Sequence, residues 1–291
     1  MTFAFAVIRA LHFASLMTLF GACAFGWITR TRLRCDIVLP RAFLPACGGI
    51  ALATALVSVG FVAGEMTGSE AALFAPAPLG QILFHSLYGH IALERIVLLA
   101  AFLVIAWAVP SGQQIAGAVS GGVALALPGM TSHAAAAGVA QFEYLRAMID
   151  ALHLAAAGFW VGSLAVIAFV VMREPRETAK QISLLRLLSR WGSFAVAILV
   201  VSGTINAIAI LDMQGMRWSP VYLTWLAVKL VLAGLMIALA LTNRFGVVPG
   251  LARGEKEAAE TLPLTLFAEL GSAALILIAV GFLGLTAPMQ M

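Results

Sequence analysis

The sequence predicts an all-α, polytopic membrane protein of about eight spanning helices. Hydrophobic residues fill 62% of its 291 positions and charged residues only 10%, and its mean hydropathy of +1.03 lies far from that of an ordinary soluble domain. The apolar stretches are also long, unbroken and rich in Ala, Leu and Gly, which fits helices; the strands of a membrane barrel are short and alternate in polarity.

Apolar runs of roughly 20 residues bounded by charge, Pro or Gly place helices near 3–28, 42–63, 86–108, 113–130, 144–172, 191–211, 221–242 and 265–286. The first lacks a basic leader and a small-residue cleavage motif, so it is read as a retained span, not a secretory signal. Arg30, Arg32, Arg34 and Arg41 follow it. Arg173, Arg176, Lys180, Arg186 and Arg190 surround the fifth connection, and Arg244, Arg253 and Lys256 occupy the seventh. By the positive-inside bias these connections face the cytoplasm and both termini face the periplasm. The net charge of +4 therefore reports topology and not a nucleic-acid partner. No Walker motif or phosphorylation domain is legible, and no enzymatic activity is expected.

The two halves echo one another. Arg9-Ala10-Leu11-His12-Phe13-Ala14 matches Asp150-Ala151-Leu152-His153-Leu154-Ala155, and the same offset carries Gly21 onto Gly162. Arg95 to Ala100 likewise matches Lys229 to Gly234. Four helices duplicated to eight would give halves of 1–141 and 142–291 within one membrane domain. An even number of spans makes the repeat parallel, with an axis along the membrane normal and shared sites between the halves.

Under this topology all five histidines fall toward the outer face: His12 in the first helix, His85 and His90 at the entry to the third, His133 before the fifth and His153 in its outer half. Imidazole binds copper, zinc and iron, and an ionisable group in hydrocarbon is a functional candidate by default. Methionines share the bias, Met130 and Met148 among them, and thioether with imidazole leans toward copper. Set against this, Met is a common filler of apolar helices. On the fifth helix Asp150, His153 and Trp160 share one face, so Asp150 can orient His153 from the preceding turn and leave its second ring nitrogen for a metal. A polar clamp between helices, with no metal, is the competing account. His12 and Cys23 share a face of the first helix about 16 Å apart. Cys35 and Cys47 also lie toward the cytoplasm, where thiols stay reduced and favour Cu(I), although buried free cysteine is common. His90, Glu94, Arg95 and Lys229 complete the polar inventory; Asp150, Glu94 and Glu143 are the carboxylates available to the two cations.

These fragments resemble the copper resistance protein D (CopD) family. The carriers are Ser132-His133-Ala134, Asp150-x-x-His153 with Phe159-Trp160-Val161-Gly162, Phe194 with Ser202-Gly203, then Tyr222, Leu226 and Lys229, and Asn243-Arg244, with His12 and Arg95 in the first half. Ser163 stands where a second glycine is expected. The resemblance covers nearly the whole chain and implies an inner-membrane protein of bacterial copper uptake, homeostasis and resistance, working with a periplasmic CopC-type copper-binding protein. Copper would be captured outside by His12, His133 and His153, with His90, Met130 and Met148 as further ligands, and passed between the halves to the inner thiols. The alternative is a b-type cytochrome whose haem iron is held by His12 and His153.

Overall fold

The computed structural model describes residues 2–128, 140–173, 178–211, 217–286 and 289–290. Ten helices lie among them: α1 (Thr2–Leu33), α2 (Phe43–Thr67), α3 (Pro76–His85), α4 (Leu87–Ala108), α5 (Gln113–Ala126), α6 (Ala140–Arg173), α7 (Thr178–Leu211), α8 (Pro220–Thr242), α9 (Val248–Ala252) and α10 (Lys256–Leu283). Seven stretches are long and apolar enough to cross a membrane: α1, α2, α4, α6, α7, α8 with its continuation to Ala252, and α10. The eighth expected span is α5, described over 14 residues.

Several boundaries differ from those expected. α6 and α7 each run 34 residues, about 51 Å at 1.5 Å per residue, well beyond a hydrocarbon layer of about 30 Å. Their polar ends, including Lys180, Arg186 and Arg190 on α7, continue the helix past the apolar run by which it was recognised. The 64–85 connection carries a helix of its own. Gly68, with φ of 67°, closes α2; Pro76 sits in the first turn of α3, which Val59, Ala63, Ile82 and Ala92 pin between its neighbours. Ser86 then breaks the chain and caps α4 by accepting from the Gly89 amide at 2.9 Å. α8 passes through a π-helical turn at Asn243–Val247 into α9. A two-residue antiparallel ribbon, Arg217 opposite Gln290 and Trp218 opposite Met289, is the sole β pairing among the described residues.

Helices α1, α2, α4 and α5 form one unit: α1 packs on α2 and α5, α2 on α4, and α4 on α5. In the second unit α10 packs on α8 and α6, and α6 on α7, while α7 and α8 make no extended contact. Between their Arg-bearing ends lies a cleft of 180 Å³ lined by Trp160, Leu188, Gly192, Ile237, Arg244 and Glu269 among others. The units meet chiefly along α1 and α6. Their backbones touch at Gly21 and Gly162, where a Cβ on Gly162 would stand 2.6 Å from the Gly21 Cα. Large apolar side chains such as Val97, Trp107 and Val231 are exposed around the bundle, as a lipid-facing surface requires.

Candidate functional site

The two histidines of the internal echo are held alike. His12 on α1 places Nδ1 3.1 Å from the Ala51 carbonyl and 3.0 Å from Thr54 Oγ1 on α2. His153 on α6 places Nδ1 2.9 Å from Ser202 Oγ on α7, with the Leu199 carbonyl also in hydrogen-bonding range of the ring. In each case a carbonyl and the hydroxyl three residues later grip the ring from the next long helix. The partners also assign the proton. Thr54 donates to the Ile50 carbonyl at 2.7 Å and Ser202 to the Ile198 carbonyl at 2.5 Å. Each hydroxyl proton is thus committed, and Nδ1–H is the donor to the hydroxyl oxygen. In the neutral ring this leaves the Nε2 lone pair as the available ligand atom.

The surroundings of the two rings differ in charge. His12 is 4% exposed and lies within electrostatic reach of Arg9 and Arg95; its Nε2, Arg9 Nε and Arg95 Nε are buried without a hydrogen-bond partner. The charge next to the ring is positive, and the carboxylate in reach of this cluster, Glu65, acts on Arg9. His153 is half-buried, with Asp150 and Lys229 in electrostatic reach, and Asp150 accepts from Asn206 Nδ2 at 2.6 Å. Asp150 therefore supplies charge one turn from the ring, while Ser202, not Asp150, orients it. The expected orienting role falls to a hydroxyl because α7 brings its Ser202 face directly against Nδ1.

Other expected site residues are more scattered. His133 and Met130 lie outside the described residues, as does the side chain of Glu143. Met148 is exposed on α6. His90 is exposed, with Nε2 3.2 Å from the Phe84 carbonyl, and the break at Ser86 separates it from His85. Glu94 is exposed on α4 and forms no ion pair among the described residues, so it is not the counter-charge of Arg95, whose electrostatic neighbours are Tyr88 and Arg9. Trp160 is buried and lines the cleft between α7 and α8. Cys23 is fully buried, with Cys47 near enough to feel its charge; Cys35 is half-buried in the loop after α1. Among the described residues no three His, Cys, Asp or Glu side chains converge, and no hydrogen bond or ring contact joins His12 to His153. The Nδ1 of each ring is tied to the next long helix of its own unit.

A second polar centre went unread in the sequence. Glu269 on α10 is 2% exposed and accepts from Asn243 Nδ2 at 2.6 Å. Thr265 donates to Asn243 Oδ1, also at 2.6 Å. Asn243 opens the π-helical turn, a distortion that often marks functional positions. The available signal was that Glu269 is the sole charged residue from Leu262 to the end of the chain.

Residues 1–142 match the family model described as copper resistance protein D-like, N-terminal domain, and residues 182–283 match that of copper resistance protein D. The chain is 34% identical to copper resistance protein D of Pseudomonas syringae pv. tomato over 301 residues, covering 97% of this chain and 96% of that protein. It is 26% identical to inner membrane protein YebZ of Escherichia coli (strain K12), covering 99% of each. No solved structure matches it.

Proposed function

The chain belongs to the copper resistance protein D family, and from that premise we propose that it moves copper across the bacterial inner membrane, inward, with His153 as the capture ligand on the periplasmic side. The observation that carries this reading is the His153 ring. Ser202 fixes its Nδ1, its Nε2 is left to bind, and the Asp150 carboxylate one turn away offsets part of the opposing charge of Lys229. His133, Met130 and Met148 are proposed to complete the copper ligands from the same outer region. His12 belongs to the matching station of the first half, where Arg9 and Arg95 disfavour a cation, so the second half is the one assigned to copper.

The shared grip on His12 and His153, on α1 with α2 and on α6 with α7, supports a parallel duplication of 1–141 and 142–291. The touching of Gly21 and Gly162 at the seam supports an axis between them. That seam is closed backbone to backbone, so copper passing between the halves toward Cys23, Cys47 and Cys35 requires α1 and α6 to part there. Both termini are assigned to the periplasm from the placement of arginine, where a CopC-type protein would deliver copper.

The test is elemental analysis of the purified protein after loading with Cu(I) and desalting. The reading predicts about one copper per chain, falling to about a tenth of that in His153→Ala and little changed in His12→Ala. Full copper retention by His153→Ala would sink the assignment, and stoichiometric iron would replace it with haem.

A further inference from the structure

A strongly basic hollow lies at the end of the second half, distant in role from the histidines. Arg186 and Arg190 stand one turn apart on α7, Arg244 follows α8 in the π-helical turn, and Arg253 follows α9; together with Ser189 and Pro249 they line a cavity of 490 Å³. Beside the four guanidinium groups stands the Glu255 carboxylate, while Glu269, which accepts from Asn243, lines the adjoining cleft. Glu255 is occupied by Arg253 at 2.6 Å, and that guanidinium holds the Glu255 carboxyl below its usual range, so the pair stays ionised. Among the described residues no carboxylate pairs with Arg186, Arg190 or Arg244. Three uncompensated guanidinium groups around one concavity repel copper and attract an anion.

The hollow does not end at its polar wall. Ser189, Arg244 and Val248 also line the apolar cleft that runs between α7 and α8 past Leu185, Leu188, Gly192 and Ile237. Arg244 stands at the junction, donating to the Ser193 hydroxyl and to the Ser189 carbonyl at 3.4 Å, the reach of one side chain across the gap between the two helices. A phosphate-sized charged hollow opening into a groove for hydrocarbon matches an amphiphile, and the sign of the charge selects an anionic one.

We propose that this paired hollow and groove bind an anionic phospholipid, its phosphodiester held by Arg186, Arg190 and Arg244 and an acyl chain lying between α7 and α8. The lipid would take the place of the helix contact that α7 and α8 do not make. Its assignment to the cytoplasmic leaflet rests on the arginine-based orientation; the site itself does not depend on the copper reading.

The experiment is a titration of the detergent-purified full chain with phosphatidylglycerol or phosphatidylcholine, read by native mass spectrometry. The expected result is a preference of roughly tenfold for phosphatidylglycerol, abolished in Arg186→Gln/Arg190→Gln. Gly192→Leu separates lipid from free phosphate. A Cβ at Gly192 meets nothing closer than 3.7 Å, so the backbone admits a side chain there; the added leucine enters the groove and leaves the arginines in place, and an unaltered melting temperature in detergent checks that the variant is folded. It should lose phosphatidylglycerol, and millimolar inorganic phosphate should fail to displace the lipid from the unaltered chain. Unchanged preference in the double arginine variant, unchanged lipid binding in Gly192→Leu, or displacement by inorganic phosphate would each overturn the proposal.

Discussion

At the scale of single residues, the chemistry is written by which buried polar atoms have partners. His153 was legible because a histidine one turn after an aspartate, inside a long apolar run, has few bland explanations. Its actual support was not legible: Ser202 and Asn206 are distant in sequence, and ordinary serine and asparagine carry no mark of which helix face they will meet. Glu269 shows the converse, an isolated charge in the last helix whose partner Asn243 lies on another element. Replacing it tests the reading of that contact. Glu269→Leu leaves the Asn243 amide and its Thr265 contact in apolar surroundings with one donor unpaired, a loss of about 1–3 kcal/mol. Glu269→Gln keeps an oxygen for the amide and should cost far less. Thermal melting in detergent should therefore rank the unaltered chain near Glu269→Gln and well above Glu269→Leu; equal melting of the two variants would show that the contact does not matter.

Elements were legible where apolar length alone defines them. The cores of the seven long spans follow from hydropathy, whereas the added turns of α6 and α7, the helix α3 and the π-helical continuation of α8 do not, because polar helical turns and loops of similar composition look alike until packing decides between them. Helix packing turns on Gly21 and Gly162. With interfaces of this kind the gain comes from close backbone approach, not from a hydrophobic force that lipid would supply equally. Gly162→Ala places a methyl 2.6 Å from the Gly21 Cα and must push α1 from α6, at a cost of about 1–3 kcal/mol. Gly234→Ala, on α8 with nothing within 4 Å, removes only the conformational penalty of glycine and should melt at or slightly above the unaltered temperature. The contrast between these two substitutions is the check, since both add the same single methyl.

For the molecule as a whole, the sequence echo between residues 9–14 and 150–155 foreshadowed the common way in which His12 and His153 are gripped, although it did not reveal that the gripping residues, Ala51 with Thr54 and Leu199 with Ser202, echo as well. Those pairs sit at a different offset from the histidines, which hides them from a search at one fixed spacing. The Nδ1 of each ring turns to the next long helix, α2 for His12 and α7 for His153. Orientation is testable through Cys35, whose thiol is half-buried in the loop carrying Arg30, Arg32, Arg34 and Arg41, while Cys23 is buried and Cys47 sits within α2. In intact spheroplasts a membrane-impermeant maleimide should leave Cys35 unmodified, and in inverted vesicles it should modify it. The reverse pattern would place both termini in the cytoplasm.

The central claim, that copper crosses the membrane through a chain whose His153 captures it, is tested most directly by proteoliposomes enclosing a fluorescent Cu(I) chelator. Addition of Cu(I) outside should quench the chelator at a rate set by the protein, and His153→Ala, reconstituted at equal density, should fall to the rate of empty liposomes. Quenching by His153→Ala at the unaltered rate, or by neither protein above empty liposomes, would contradict it.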